Sequence, residues 1–333
     1  MKFSKMMGQE ALKRHFKTAL RRKQFSQAYI IEGEALSGKK MMAKAFASAL
    51  LCERGGEEAC GICHSCRMVA SNGHPDLVYT THEKPNQYKI DEIREQLVED
   101  SWLRPFYGKY KIYIVDEAEK ITLQGQNALL KTLEDPPDYV IIFLLCTNTQ
   151  QFLPTIRSRC MKLSMAPVSD SLIIDRLTKE LRIPEYEART LCAFARGNLG
   201  KAFSLSSNQQ FSDMKKKALD LLIHLEERPI ANLFTDAENL EEICRDKMSE
   251  LFDFFVLWYR DIIVFKATND KFLLVFLEDE IEYAISQASK RLTYAKINEN
   301  IHCIAQARKQ LSENVGAVWV LQQLILELRQ ETS

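Results

Sequence analysis

A glycine-rich segment of the chain, residues 33–40 (GEALSGKK), has the spacing of a phosphate-binding loop. It follows a short apolar run and precedes a stretch with helical spacing, which is the context such a loop needs. Backbone N–H groups and the helix N-terminus would hold phosphates between Gly33 and Gly38, and Lys39 would reach the terminal ones. Lys40 occupies the place where a Ser or Thr hydroxyl ordinarily ligates Mg²⁺, and an ammonium cannot ligate a metal. We therefore expect the shape of the loop without competent MgATP hydrolysis.

Two acids, Asp116 and Glu117, end a later apolar run. In P-loop enzymes the Asp at this place orients Mg²⁺ and the Glu polarises the attacking water. The position of the pair after a P-loop-like segment in the same predicted sheet strengthens this interpretation of the two acids. The alternative is that both acids simply begin the next helix, where they suit the helix dipole.

Four of the nine cysteines are clustered: Cys52, Cys60, Cys63 and Cys66. Four thiolates suit a tetrahedral Zn²⁺ site, and the two-residue gaps let neighbouring sulfurs converge on one ion. The intervening residues 53–59 are polar and contain glycine, so they can form a loop. The cluster predicts a structural zinc site that fastens an insertion at about residues 52–66 onto the α/β domain. The alternative is four free thiols.

An arginine, Arg159, lies in the tripeptide SRC at residues 158–160. An arginine at the edge of a P-loop domain can stabilise γ-phosphate charge in a neighbouring subunit's site. By itself the tripeptide favours the alternative, a surface arginine before an edge strand.

The elements that would position these residues alternate between strands and helices. Apolar runs predict strands, and helical spacing predicts the helices between them, so a parallel α/β sheet is expected. Beyond Pro167 only helical periodicity is found. The strands are predicted at 28–32, 76–79, 111–117, 139–146 and 161–164, and the helices at 39–51, 89–100, 122–134, 169–182, 185–195, 198–206, 212–226, 251–265 and 316–330. We predict an α/β domain at 1–165, a three-helix lid at 166–208 and a helical bundle at 209–333.

The composition of the 333 residues is that of a globular protein, with 46% hydrophobic and 27% charged residues. No apolar run is long enough to span a bilayer, and the first residues lack a signal-peptide core, so no membrane association and a cytoplasmic location are expected. The 45 basic and 45 acidic residues balance, which argues against a protein that binds nucleic acid through its overall field. Basic residues at 13–23 are interpreted as a solvated helix face, and a DNA contact is the alternative.

Several further motifs occur in a characteristic order. They are HPDL (74–77), ALLKTLEDPP (128–137), Thr147-Asn148 after the fourth strand, and SRC (158–160), with the cysteine cluster ahead of them. In this order they resemble the AAA+ clamp-loader subunits of bacterial DNA polymerase III, closely over residues 1–165 and more loosely over the helical remainder. Gly200 lies where ATP-hydrolysing members carry a lid arginine.

The resemblance implies a subunit that does not hydrolyse ATP and acts as a rigid stator in a pentameric arc. Its C-terminal bundle would join a collar with gamma/tau-like and delta-like subunits, and Arg159 would reach into a neighbour's ATP site. The complex would load the sliding clamp onto primed DNA. The degenerate nucleotide site would comprise Gly33, Gly38, Lys39, Lys40, Asp116 and Asn148, with Glu117 as a vestigial or residual base. The resemblance does not decide whether this site binds ATP and Mg²⁺.

Two alternatives remain open at this point. One is an ATP-hydrolysing motor subunit, which Lys39, Asp116 and Glu117 favour and which Lys40 and Gly200 disfavour. The other is a zinc-dependent nucleic-acid-binding module, against which the neutral net charge and the lack of aromatic and basic residues interleaved around the cysteines both speak.

Overall fold

The computed structural model describes residues 2–83 and 87–329. These residues form two compact units. Unit 1 comprises Met1–Ser169 with Asn198–Lys201, and unit 2 comprises Asp170–Gly197 with Ala202–Ser333. In the described part of the chain, no helix combines the length and hydropathy required to cross a membrane. The division into three domains stays a prediction.

Unit 1 is built on a five-stranded parallel sheet. Its strands are β1 (Ala28–Glu32), β2 (Leu77–Thr80), β3 (Lys111–Val115), β4 (Val140–Cys146) and β5 (Met161–Ser164), in the order β2-β3-β4-β1-β5. All five predicted strands are confirmed within two residues. The central position of β1 and β4 explains their nearly continuous apolar sequence, because helices cover both faces of the sheet.

The helices of unit 1 flank this sheet. They are α1 (Glu10–Arg22), α2 (Lys39–Leu50), α3 (His64–Ala70), α4 (Ile90–Ile93), α5 (Leu123–Glu134) and α6 (Pro154–Arg159). The predicted helix at 89–100 is only in part α-helical, since α4 continues as a π-helical stretch, Arg94–Glu99, and a 3₁₀ turn, Asp100–Trp102. The short helices α3 and α6 were not predicted.

One face of the sheet is held by an aromatic cluster. The ring of Phe16 on α1 lies 4.6 Å from that of Phe46 on α2, and Tyr29 of β1 stacks on Phe143 of β4 at 5.0 Å. All four side chains are fully buried. Packing α2 against β1 and β4 places its first residue, Lys39, at the carboxyl edge of the sheet.

In unit 2, every regular element among the described residues is helical, as predicted. Its helices are α7 (Asp170–Leu181), α8 (Glu185–Ala195), α9 (Leu199–Ser206, whose first residues belong to unit 1), α10 (Gln209–Ile223), α11 (Ile230–Cys244), α12 (Met248–Thr268), α13 (Asp279–Arg291), α14 (Tyr294–Ser312) and α15 (Ala317–Arg329). Helix α12 is the core of the bundle and packs Phe254 against Phe194 and Phe211. Residue 330 of the last predicted helix lies outside the described residues.

Candidate functional site

The glycine-rich loop connects β1 to α2 at the carboxyl edge of the sheet. In open α/β sheets this edge, at a switch in strand order, is where ligands bind. Gly38 has φ of +93°, and a Cβ added to Gly33 would lie 2.8 Å from the Cβ of Met165. Only glycine fits both places, so the loop keeps its predicted shape.

Lys39 is folded onto the loop that precedes it. Its Nζ donates hydrogen bonds to the carbonyl oxygens of Gly33 at 2.6 Å and Glu34 at 2.8 Å, and the residue is 8% exposed. The ammonium is thereby partnered by backbone oxygens, as a nearly buried charge requires.

Lys40 forms an ion pair with the acid that would orient Mg²⁺. Its Nζ lies 3.3 Å from Oδ2 of Asp116 and 5.3 Å from the centroid of the Tyr79 ring. The Lys40 ammonium therefore supplies a fixed positive charge beside Asp116, where a P-loop enzyme would place the metal.

The other two predicted nucleotide-site residues have local partners. Glu117, at φ of +49°, accepts from Nζ of Lys120 at 2.7 Å, and this hydrogen bond lowers the pKa of the Glu117 carboxyl. Asn148 is exposed, and its side chain accepts from the backbone N–H of Gln150 at 2.8 Å, capping a short 3₁₀ turn. The described contacts thus join Lys40 to Asp116, whereas the side chains of Glu117 and Asn148 bond to Lys120 and to the backbone of Gln150.

The tip of the loop is held by residues 198–201, which belong to the same unit. Nδ2 of Asn198 donates to the carbonyl oxygen of Ala35 at 2.7 Å, and Asn198 is 5% exposed. A Cβ at Gly200 would clash with the carbonyl oxygen of Leu36. The sequence singled out Gly200 for the arginine that it replaces. It did not predict that Gly200 approaches the loop or that Asn198 bonds to it, because these contacts join residues far apart in the chain.

The four clustered cysteines converge and could hold a metal ion. Their Sγ atoms all lie within 4.8 Å of one another, and those of Cys60 and Cys66 are 3.9 Å apart. Backbone N–H groups of Cys60, Cys63 and Cys66 each donate to another cluster sulfur at 3.4 Å. Hydrogen bonds from the backbone of Ile62 and Cys63 lower the pKa of Cys60 to about 6. A tight set of sulfurs that accept N–H bonds fits a thiolate-bound ion, so the residues fit the group.

The HPDL motif, residues 74–77, makes hydrogen bonds to the helix that carries Cys66. Ser65, next to Cys66 on α3, donates from Oγ to the carbonyl oxygen of Leu51 at 2.6 Å, and its Oγ lies 3.0 Å from Nε2 of His74. The other ring nitrogen of His74 accepts from the backbone N–H of Asp76 at 3.1 Å. These buried contacts tie α3 to β2, a role that the motif by itself did not indicate.

Arg159 is the last residue of α6, at the edge of unit 1. Its Nη2 lies 2.6 Å from Oε1 of Glu134, and Nη1 donates to the carbonyl oxygen of Thr155 at 2.9 Å. The side chain is one-third exposed. The neighbouring Cys160 is buried, which raises the pKa of its thiol to about 12 and marks it as a packing residue.

Comparison with known proteins agrees with these features. A family model described as "DNA polymerase III, delta subunit" matches residues 8–169. The delta' subunit of DNA polymerase III from Bacillus subtilis is 27% identical over 315 residues, which cover 94% of this chain and 93% of the relative. The chain is similar to the clamp-loader family of DNA polymerase III subunits. Among other members of this clamp-loader family, the tau subunit of B. subtilis is 27% identical over 288 residues, 80% of this chain but 50% of that protein.

A solved structure is also similar. It is that of a DNA polymerase III gamma subunit-related protein from Thermotoga maritima, with a TM-score of 0.41 and 20% identity. The match covers 96% of this chain and 98% of that one.

Proposed function

We propose that this chain is a delta-prime-type subunit of the clamp loader, which does not hydrolyse ATP itself. The observation that carries the proposal is the ion pair between Lys40 and Asp116. Phosphoryl transfer needs Mg²⁺ oriented by both the loop hydroxyl and the Asp at the end of the strand. In this chain Lys40 stands in place of the hydroxyl residue, and its ammonium is paired with Asp116. Two unit charges about 4 Å apart repel by roughly 4 kcal/mol at an effective dielectric near 20, so a metal beside Lys40 is disfavoured.

The match covers 93% of the delta' relative and 50% of the tau relative. A contact at the loop supports the same choice between these two kinds of subunit. Gly200, pressed against the carbonyl oxygen of Leu36, offers no room for a lid arginine.

Arg159 is the residue we propose to act in trans. The ion pair with Glu134 and the bond to the Thr155 carbonyl hold its guanidinium at the unit's edge while leaving one-third of it exposed. There it would stabilise γ-phosphate charge in the ATP site of a gamma/tau-like neighbour. Residues 209–333 would form the collar with gamma/tau-like and delta-like subunits, and the assembled cytoplasmic complex would act on the clamp and on primed DNA.

We also propose that the four-cysteine cluster holds one structural Zn²⁺. Four sulfur ligands complete a tetrahedral shell, which leaves no position for substrate. The ion would fasten residues 52–66 to the α/β unit, and the hydrogen bonds from Ser65 and His74 would orient α3 for it.

ATP turnover by the purified chain, alone and with its partner subunits, tests the proposal. We expect no turnover by the chain alone, turnover by the complex, and a loss of about 10³-fold in the complex when Arg159 is changed to Ala. Arg159→Lys should lose nearly as much, because an ammonium cannot make the bidentate contact of a guanidinium.

Arg94, a half-exposed arginine of the same unit, provides the matched control. Arg94→Ala should leave turnover unchanged. Turnover by the chain alone that disappears in Glu117→Gln would favour the alternative, a motor subunit, since Glu117 retains an ionised carboxylate.

A further inference from the structure

Unit 1 carries an exposed aromatic surface that the proposed function does not use. It lies on the loop of residues 102–110 (WLRPFYGKY), which enters β3 and which we call the aromatic-basic loop. The exposed fractions are 81% for Phe106, 61% for Leu103, 56% for Tyr107 and 55% for Trp102. Large apolar side chains exposed side by side are costly and mark interaction sites.

The backbone of this loop is pinned from within the unit. The buried carboxylate of Asp76 accepts the N–H groups of Phe106 at 2.5 Å, Tyr107 at 2.7 Å and Gly108 at 2.9 Å. At the other end, Tyr139 donates from its hydroxyl to the carbonyl oxygen of Trp102 at 3.0 Å. The rings are therefore held in solvent by a fixed backbone, which spares a ligand the entropy of ordering them.

Positive charge is interleaved with these rings. The aromatic-basic loop contains Arg104 and Lys109 and no acid. Both are exposed, and among residues 2–83 and 87–329 neither has a carboxylate within 4.0 Å. Two neighbouring acids are already engaged: Asp76 binds the backbone as above, and Asp100 lies 2.8 Å from Nζ of Lys111.

The surface continues toward the helix that carries Cys66 of the cysteine cluster. The ring of Tyr107 lies 5.6 Å from that of His64 on α3, and Arg67 follows one turn later on the same face of that helix. Arg67 is exposed and, in the part of the chain that the structure describes, has no carboxylate partner within the same distance. Tyr107 of the aromatic-basic loop thus lies beside the helix that carries Arg67.

We propose that the aromatic-basic loop, with His64 and Arg67, binds single-stranded nucleic acid. Bases stack on Trp102, Phe106 and Tyr107 while Arg104, Lys109 and Arg67 neutralise phosphates. Stacking on aromatic rings combined with a basic track is how proteins bind single strands without sequence preference. The neutral net charge is compatible with this, because the contact depends on a local patch.

The cations decide between a nucleic acid and a protein as the ligand. A protein interface buries its aromatic rings in a core that is depleted of lysine and acidic residues, and it keeps most of its charges at a polar rim. The aromatic-basic loop itself contributes cations and no acid, which complements a polyanion.

The direct test is anisotropy of a fluorescein-labelled oligothymidylate of about 20 nucleotides with the full-length chain. We expect binding that weakens as salt rises. The double variant W102A/F106A should bind at least about tenfold more weakly. The double variant R104E/K109E should weaken binding and reduce the salt slope by about two phosphate contacts.

Matched controls lie on unit 2. Phe272 and Tyr283 are each 68% exposed, and changing either to Ala should leave binding unchanged. Metal content and circular dichroism of W102A/F106A should equal those of the wild type, because the hydrogen bonds to Asp76 use only backbone N–H groups.

Tryptophan fluorescence supplies a second readout. The chain has three tryptophans, and Trp258 is 4% exposed while Trp319 is 75% exposed. In a Trp319→Phe background, Trp102 is the one exposed tryptophan, and oligothymidylate should quench it. Failure to bind, or binding that W102A/F106A leaves intact, would overturn the proposal. Loss of partner-subunit binding in W102A/F106A with oligonucleotide binding unchanged would assign the surface to a protein instead.

Discussion

Lys39 and Lys40 are neighbours in the chain, but their ammonium groups have different surroundings. Lys39 is nearly buried against two carbonyl oxygens, whereas Lys40 is half-exposed beside Asp116. We propose that Lys40 takes the place of a metal contact, so that the charge of one residue changes what the site can bind while the loop geometry stays the same.

At this scale we predict that Lys40→Thr partly restores metal-dependent nucleotide binding. The change removes the cation beside Asp116 and supplies the hydroxyl that ligates Mg²⁺ in P-loop proteins. The half-exposed ion pair contributes no more than about 1 kcal/mol, so the variant should fold normally. Isothermal titration with ATP should show affinity at least about tenfold higher in Mg²⁺ than in EDTA, a difference that the wild type lacks.

Lys44, one turn later on α2, provides the control. Lys44→Thr keeps the Lys40–Asp116 pair and should behave as the wild type does. If Lys40→Thr shows no dependence on Mg²⁺, the ion pair is not what disables the site.

Among the elements, the strands were the most predictable. Runs such as residues 139–146 are apolar because both faces of β4 are covered, and that burial is visible in composition alone. The helices α3 and α6 were missed because seven and six residues are too few for a helical period to stand out. The bond from Asn198 to the loop joins residues 163 apart, and no local pattern reports such a contact.

We propose that the segment between α2 and α3 is the element whose order depends most on a metal. It has few buried apolar residues beyond Ala59 and the cysteines themselves. We predict about one Zn²⁺ per chain by metal analysis of protein purified without chelator. Strong chelation, or changing all four cysteines of the cluster to Ser, should lower the melting temperature of unit 1 by about 5 °C or more, as about 2 kcal/mol would.

Cys303 lies outside the cluster in unit 2 and is the matched control for this prediction. Cys303→Ser should retain the full metal content. Protein that contains no zinc as purified, yet melts at the same temperature after chelation, would show that the cluster is not a metal site.

At the scale of the whole molecule, the two units have different chemistry. Unit 1 holds the degenerate loop, the cysteine cluster, Arg159 and the aromatic-basic loop. Among the described residues of unit 2, we find none of the predicted site residues, and its helices pack around a central apolar helix, α12. This unit includes residues 209–333, which we propose to form the collar.

Helix α15 tests that assignment, because one large side chain on it faces solvent. Its buried side holds Leu321, Leu324 and Leu328, whereas Trp319 is 75% exposed. An exposed tryptophan is the residue type that most often dominates an interface. We predict that Trp319→Ala weakens assembly with gamma/tau-like and delta-like subunits by about tenfold or more in size-exclusion or sedimentation experiments, while leaving zinc content and thermal stability unchanged. Phe272→Ala, a change of similar exposure on unit 2, is the comparison. Equal assembly by both variants and the wild type would place the collar contact on another face of the bundle, because a tryptophan buried at the interface could not be removed without loss.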